Sequence, residues 1–149
     1  MNIESATTDE AILACLPVLK QLRSTLAPES FVATVRRMEV DGYRLVALRD
    51  PEVVAVAGYR VIEMFATGRI LYIDDLVTDE AARSRGCGRA VLRWLAAEGE
   101  RLGSVYLELD SGSKRLDAHR FYRREGLEEV ALHFSRPLGG ATAWTSGET

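Results

Sequence analysis

Cysteine is scarce in this 149-residue chain. Only Cys15 and Cys87 are present, and they stand apart with neither a CxxC pair nor metal-ligand spacing. Neither a disulfide framework nor a metal site is expected from such cysteines. Long apolar runs are also missing. None approaches the ~20 residues that span a bilayer, so no membrane role is expected. The opening residues, MNIESATTDE, lack the basic and apolar regions of a secretory signal, and the expected compartment is the cytoplasm. Aromatic residues are not interleaved with the basic ones as a nucleic-acid surface requires, and no recognition motif is present, so no nucleic acid is expected as a partner. Internal repeats and linker-like stretches are absent as well. One domain is expected over residues 1–138, followed by a frayed tail at 139–149 in which Trp144 is a candidate docking residue.

What the chain has is an ordinary apolar content of 47%, enough for one sizeable core. Its net charge of −3 is unevenly spread: residues 1–82 carry −5, residues 83–124 carry +5 and the remainder −3. A local basic block in an acidic chain suits a small anionic ligand better than a long polyanion.

The periodicity changes along the chain. Thr8 reads as the N-cap of a helix to about Leu22, with Ile12, Leu16, Leu19 and Leu22 at helical spacing. A second helix runs from the Ala27-Pro28 break to about Val40, and Asp41-Gly42 is a turn signal. Tyr43–Leu48 and Val53–Met64 then read as an antiparallel hairpin, with Gly58 a candidate bulge inside the second strand. Val105–Leu109 and Glu128–Phe134 are later strands, separated by a short helix from about Asp117 to Gly126. The terminal strand is one that could pair with another subunit to make a homodimer. The expected fold is α+β (α/β): a mixed, mostly antiparallel sheet with a central parallel pair, and helices on both faces.

The stretch from Arg69 to Leu102 organises the rest. An apolar run meets Asp74 and Asp75, resumes at Leu76 and Val77, and leads through a polar linker to Arg83-Ser84-Arg85-Gly86-Cys87-Gly88 and an amphipathic segment. Strand, glycine-bearing turn, helix is an order that presents backbone N–H groups to phosphate. The glycines permit unusual φ and close approach of a ligand, and Arg85, Arg89 and Arg93 fall at i, i+4 spacing along one edge. Neither a Walker P-loop nor a dinucleotide GxGxxG fits this spacing. Strand alternation puts Tyr72 and Asp74 on one face and Asp75 on the other.

At these residues the chain resembles the GNAT superfamily of N-acetyltransferases. Arg83-Ser84-Arg85-Gly86-Cys87-Gly88 matches the R/Q-x-x-G-x-G/A signature, and Tyr72–Val77 looks like the family's fourth strand. Ala118-His119-Arg120-Phe121-Tyr122-Arg123-Arg124-Glu125-Gly126-Leu127 resembles its later A-x-x-F-Y-x-x-x-G-F/L helix motif. The resemblance covers nearly the whole domain. It implies transfer of acetyl from acetyl-CoA, with no metal, to a primary amine of a small molecule or peptide. The alternative it leaves is a non-catalytic acyl-CoA-binding sensor on the same fold.

Carried over residue by residue, the resemblance gives the pyrophosphate to the backbone of Arg85, Gly86, Cys87, Gly88 and Arg89, with Arg83 either near it or packed against the loop. The pantetheine arm falls to the main chain of Leu76, Val77 and Thr78. Tyr122 matches the family's thiol-protonating tyrosine. Asp74 corresponds to a position where members often place an acid, and either takes the amine's proton, directly or through water, or serves to order backbone and neutralise an arginine. His119 is a lesser candidate shuttle. In one departure, Arg115 stands where many members have an asparagine on the pantetheine arm.

Overall fold

Residues 1–142 are described in a computed structural model of the chain. They fall into two compact units, Met1–Leu109 and the stretch from Asp110 onward. Trp144, the candidate docking residue, lies outside the described residues.

The first unit carries the sheet, in the order β1 (Asn2–Ser5), β2 (Arg44–Arg49), β3 (Val53–Met64), β4 (Gly68–Thr78), β5 (Tyr106–Leu109). Strands β1 to β4 pair antiparallel and β4 pairs β5 in parallel. The expected parallel pair therefore forms, at the β5 end of the strand order rather than at its centre.

The helix expected over Thr8–Leu22 is divided in two: α1 (Asp9–Ala14) and α2 (Leu16–Leu22), with Pro17 in the first turn of α2. Proline has no N–H to continue a helical ladder, and its ring disfavours helical geometry in the preceding turn. Thr8 does cap α1, its hydroxyl accepting from the Ala11 N–H at 3.1 Å. With α3 (Pro28–Val40), these helices bury Ile12, Leu16, Leu19, Phe31 and Val35 against Leu45, Ala47, Val56 and Val77 of the sheet. Each such side chain contributes on the order of 2 kcal/mol by leaving water.

The alternate residues of β3 and β4 face α4 (Cys87–Arg101), the crossover between β4 and β5. Tyr59 meets Trp94 edge-to-face at 6.2 Å, and Gly99 lets α4 come so near that a Cβ there would lie 3.3 Å from the Leu71 Cβ. Val91, Leu92 and Leu95 are its buried stripe.

The second unit holds α5 (Leu116–Arg124), which starts one residue ahead of its expected position and ends at Gly126 with φ +92°. Glu128–Phe134 was expected as a strand and is not one: residues 127–138 have no regular structure, and residues 128–142 are exposed throughout. The alternation of Val130, Leu132 and Phe134 satisfies the two-residue period, but no ladder partner takes its backbone among the described residues. Pattern alone does not make a strand.

Candidate active site

Strand β4 outruns β5. The parallel pairing covers Ile70–Ile73 against Tyr106–Leu109, whereas β4 continues to Thr78. From Asp74 to Thr78 its edge on the β5 side has no strand beside it in this unit, while its other edge is paired to β3 from Asp75 to Thr78. Five residues at about 3.3 Å each make an opening of ~17 Å along which backbone donors and acceptors are left to a ligand.

That open edge leads directly into the glycine turn. Asp79 closes β4, accepting from Ala81 N–H and from the Gln21 side chain, both at 3.2 Å. A one-turn 3-10 helix, Glu80–Ala82, follows. Ser84 then takes φ +66° and Gly86 φ +79°, so the chain turns twice through the left-handed region before α4 begins. The second turn needs glycine because an L side chain pays steric strain there. Among the described residues no side chain caps α4, and no acid occupies its first turn. Among the described residues nothing accepts from the backbone N–H groups of Ser84, Arg85, Gly86, Cys87 and Gly88. Buried Cys87 seats this end of the helix, its Sγ 3.8 Å from the Ala82 carbonyl oxygen. Unmatched donors at the positive end of a helix dipole favour an anion. Arg83, Arg85, Arg89 and Arg93 are exposed around them, with Arg85 paired to Asp50 at 2.5 Å. The residues present fit a pyrophosphate.

Asp74 lies where the two β strands fall out of step. Ile73 faces Tyr59 and Asp75 faces Gly58, which leaves Asp74 as the extra residue of a β-bulge. Gly58 thus marks the bulge expected from sequence, although the inserted residue is on the neighbouring strand. The bulge also breaks the expected alternation. Instead of pointing to opposite faces, both carboxylates engage one cluster of side chains. Arg60 donates from Nε to both oxygens of Asp74 at 3.1 Å, and from Nη2 to Oδ2 at 2.7 Å. Arg23 reaches Asp75 Oδ1 at 2.8 Å and the Asp74 carbonyl at 3.0 Å. Tyr43 donates its hydroxyl to Asp75 Oδ2 at 2.9 Å, and its ring lies 5.5 Å beneath the Arg60 guanidinium.

Burial pushes the Asp74 carboxyl above its ordinary range and Arg60 pulls it partly back, with smaller opposing effects from Asp75 and Arg23. A raised carboxyl is a better proton acceptor. Asp75 is held by the Arg23 guanidinium and the Tyr43 phenol. Tyr43 is pushed well above the usual phenol range, by burial first and then by Asp75, and stays neutral.

Tyr122 belongs to the second unit. Its ring meets Phe121 edge-to-face at 5.3 Å. Burial raises its phenol above the ordinary value, opposed by Arg115, so it is a proton donor rather than a base through the neutral range. His119, the lesser shuttle, has Nε2 2.8 Å from the Gly112 carbonyl oxygen, which only accepts; the ring donates there and braces the loop ahead of α5. His133 contacts Asp110 at 3.5 Å.

The structure thus gathers Asp74, Leu76, Val77, Thr78 and Arg83–Arg89 on one continuous path in the first unit. Sequence reasoning passed over Arg23, Tyr43 and Arg60. Arg60 was visible as a lone charge inside the apolar run Val53–Ile62, but its partner was hidden by the bulge.

A family model for the acetyltransferase (GNAT) family matches residues 14–127. The chain belongs to that family. An uncharacterized N-acetyltransferase, YhdJ, of Bacillus subtilis (strain 168) is 29% identical over 93% of this chain and 99% of its own. An aminoalkylphosphonate N-acetyltransferase of Salmonella typhimurium is 30% identical over 92% of this chain and 91% of its own. Among solved structures, an acetyltransferase fold from Agrobacterium tumefaciens str. C58 superposes with a TM-score of 0.79 at 21% identity, covering 92% of this chain and 99% of that one. The GNAT chain described here is accordingly an acyltransferase by family, on a five-stranded mixed sheet with a parallel β4–β5 pair. No helix among its described residues is long and apolar enough to cross a membrane. No group of three or more potential metal ligands occurs among them.

Proposed function

We propose that this GNAT chain transfers the acetyl group of acetyl-CoA to a primary amine by direct attack. The observation that carries the reading is the open edge of β4 from Asp74 to Thr78, running into an α4 N-terminus where, among the described residues, nothing accepts from the amides of Ser84 to Gly88. An extended pantetheine arm, with its amides, complements a bare strand edge as an added strand would. The pyrophosphate complements the turn amides of Arg85–Arg89 and the arginines around them.

The neutral amine nitrogen attacks the thioester carbonyl carbon, and the new C–N bond forms as a tetrahedral adduct. Asp74 accepts the proton that the nitrogen sheds, directly or through a water. The C–S bond then breaks, its electron pair leaves on sulfur, and the Tyr122 phenol supplies the proton that makes free CoA. A carboxyl raised by burial and a phenol kept neutral by burial support these two roles.

The Salmonella relative's name supports a small-molecule acceptor. That name makes amines bearing an anionic phosphonate group the first class to try. The test is thiol release from acetyl-CoA across a panel of aminoalkylphosphonates, amino acids, polyamines and peptide N-termini. Turnover on a primary amine supports the reading. Saturable acetyl-CoA binding with no turnover on any class favours the acyl-CoA sensor instead.

A further inference from the structure

We propose that Arg60 is a positioning residue that orients Asp74 for proton transfer and holds it ionised, and that Tyr43 and Gly58 exist to keep Arg60 in place. The inference rests on the reading of Asp74 as the proton acceptor.

The geometry forms a chain of dependence. Asp74 is the inserted residue of a bulge, so the sheet ladder does not fix its side chain. What fixes it is the fork of Arg60, reaching it through three short contacts. A planar guanidinium holds a carboxylate in one plane, which an ammonium does not. Oδ1 takes only one of these contacts, from Arg60 Nε, and keeps a further lone pair for an incoming proton.

Arg60 is held in turn. Its guanidinium stacks over the Tyr43 ring, and Tyr43 is anchored by its hydroxyl on Asp75. That ring fits only because residue 58 has no Cβ. A Cβ at Gly58 would lie 1.9 Å from the Tyr43 hydroxyl oxygen and 2.4 Å from Cζ. The bulge partner is thus glycine for a reason beyond the bulge: it leaves room for the phenol that carries the arginine that aims the acid.

The charged and titratable groups facing Asp74 are Arg60 from β3, Asp75 from its own strand, Arg23 from the end of α2 and Tyr43 ahead of β2; Asp41 acts on Arg60 from farther off. Burial and Asp75 oppose ionisation of Asp74, while Arg60 is the largest influence favouring it. Removing the guanidinium therefore moves Asp74 upward, and a base that must be deprotonated then loses activity at higher pH.

The test is the pH dependence of kcat/KM for wild type, Arg60→Gln, Arg60→Lys and Asp74→Asn on whichever amine is turned over. In Arg60→Gln the acidic limb should move up by about one pH unit, as expected when an adjacent opposite charge is lost. Its plateau kcat should fall about tenfold while KM for acetyl-CoA holds. Arg60→Lys should restore the limb but not the plateau, since charge returns without the fork. An unmoved limb in Arg60→Gln, with Asp74→Asn abolishing the limb, overturns the proposal and spares Asp74 as base. A wild-type limb in Asp74→Asn overturns the base reading itself.

Discussion

Gly58→Ala is the smallest change that strikes the centre of the cluster. The added methyl would meet the Tyr43 hydroxyl oxygen at 1.9 Å and its ring carbons at 2.4 and 2.5 Å. Tyr43 is only 2% exposed, so its ring has no free volume to enter. Displacing a packed ring costs about 1–3 kcal/mol. The hydroxyl also gives up its hydrogen bond to the charged Asp75, worth about 1.5–3 kcal/mol. Replacing glycine returns about 0.5–1 kcal/mol through the unfolded chain. The net loss is about 4 kcal/mol, or about 12 °C in Tm for a chain of this size. Urea unfolding should show this as a lower midpoint with an unchanged slope. In a double-mutant cycle with Tyr43→Phe, which removes the nearest clashing atom, the two losses should fall short of additive by at least about 1 kcal/mol. A Gly58→Ala loss below about 1 kcal/mol, or strict additivity, would refute the close packing on which the argument rests.

Other outcomes follow from the same geometry. Asp74→Asn should lower kcat/KM by about 10²–10⁴, the usual range for a positioned base, with acetyl-CoA affinity by calorimetry little changed. Tyr122→Phe should reduce kcat more than KM, and in wild type any alkaline loss owed to this phenol should lie above pH 10, because burial raises it. Gly86→Ala meets no atom within 4 Å but must hold φ +79°, so its loss is conformational: about 1–2 kcal/mol, read as a roughly tenfold weaker acetyl-CoA Kd. Burial pushes the Cys15 thiol up to about 11 from 9.0. The folded state keeps that proton while the unfolded chain loses it, so stability should decline between pH 9 and 11 by about 3 kcal/mol, and Cys15→Ala should flatten that slope.

The glycine-turn half of the candidate site was legible in the sequence because it depends on local order. A strand, a glycine turn and an amphipathic helix after it follow from nearest-neighbour chemistry. The acidic half was not, because it depends on register. Alternation sends Asp74 and Asp75 to opposite faces unless a residue is inserted, and the insertion is set by how β3 pairs with β4. Arg60 and Tyr43 became site residues through that pairing, being 14 and about 31 positions from Asp74 in the chain. Pro17 divided a helix that spacing alone made continuous. Val130, Leu132 and Phe134 carried a strand's period without a strand's partner, since pairing is a property of the sheet and not of the segment.

We propose that the β4 edge and the α4 N-terminus together hold acetyl-CoA. Backbone amide shifts of isotopically labelled protein during an acetyl-CoA titration test it most directly. Saturable shifts are expected at Leu76 and Thr78 and at Arg85, Gly86, Cys87 and Gly88, weakening as salt is raised. Saturable binding that leaves these amides unmoved would contradict it.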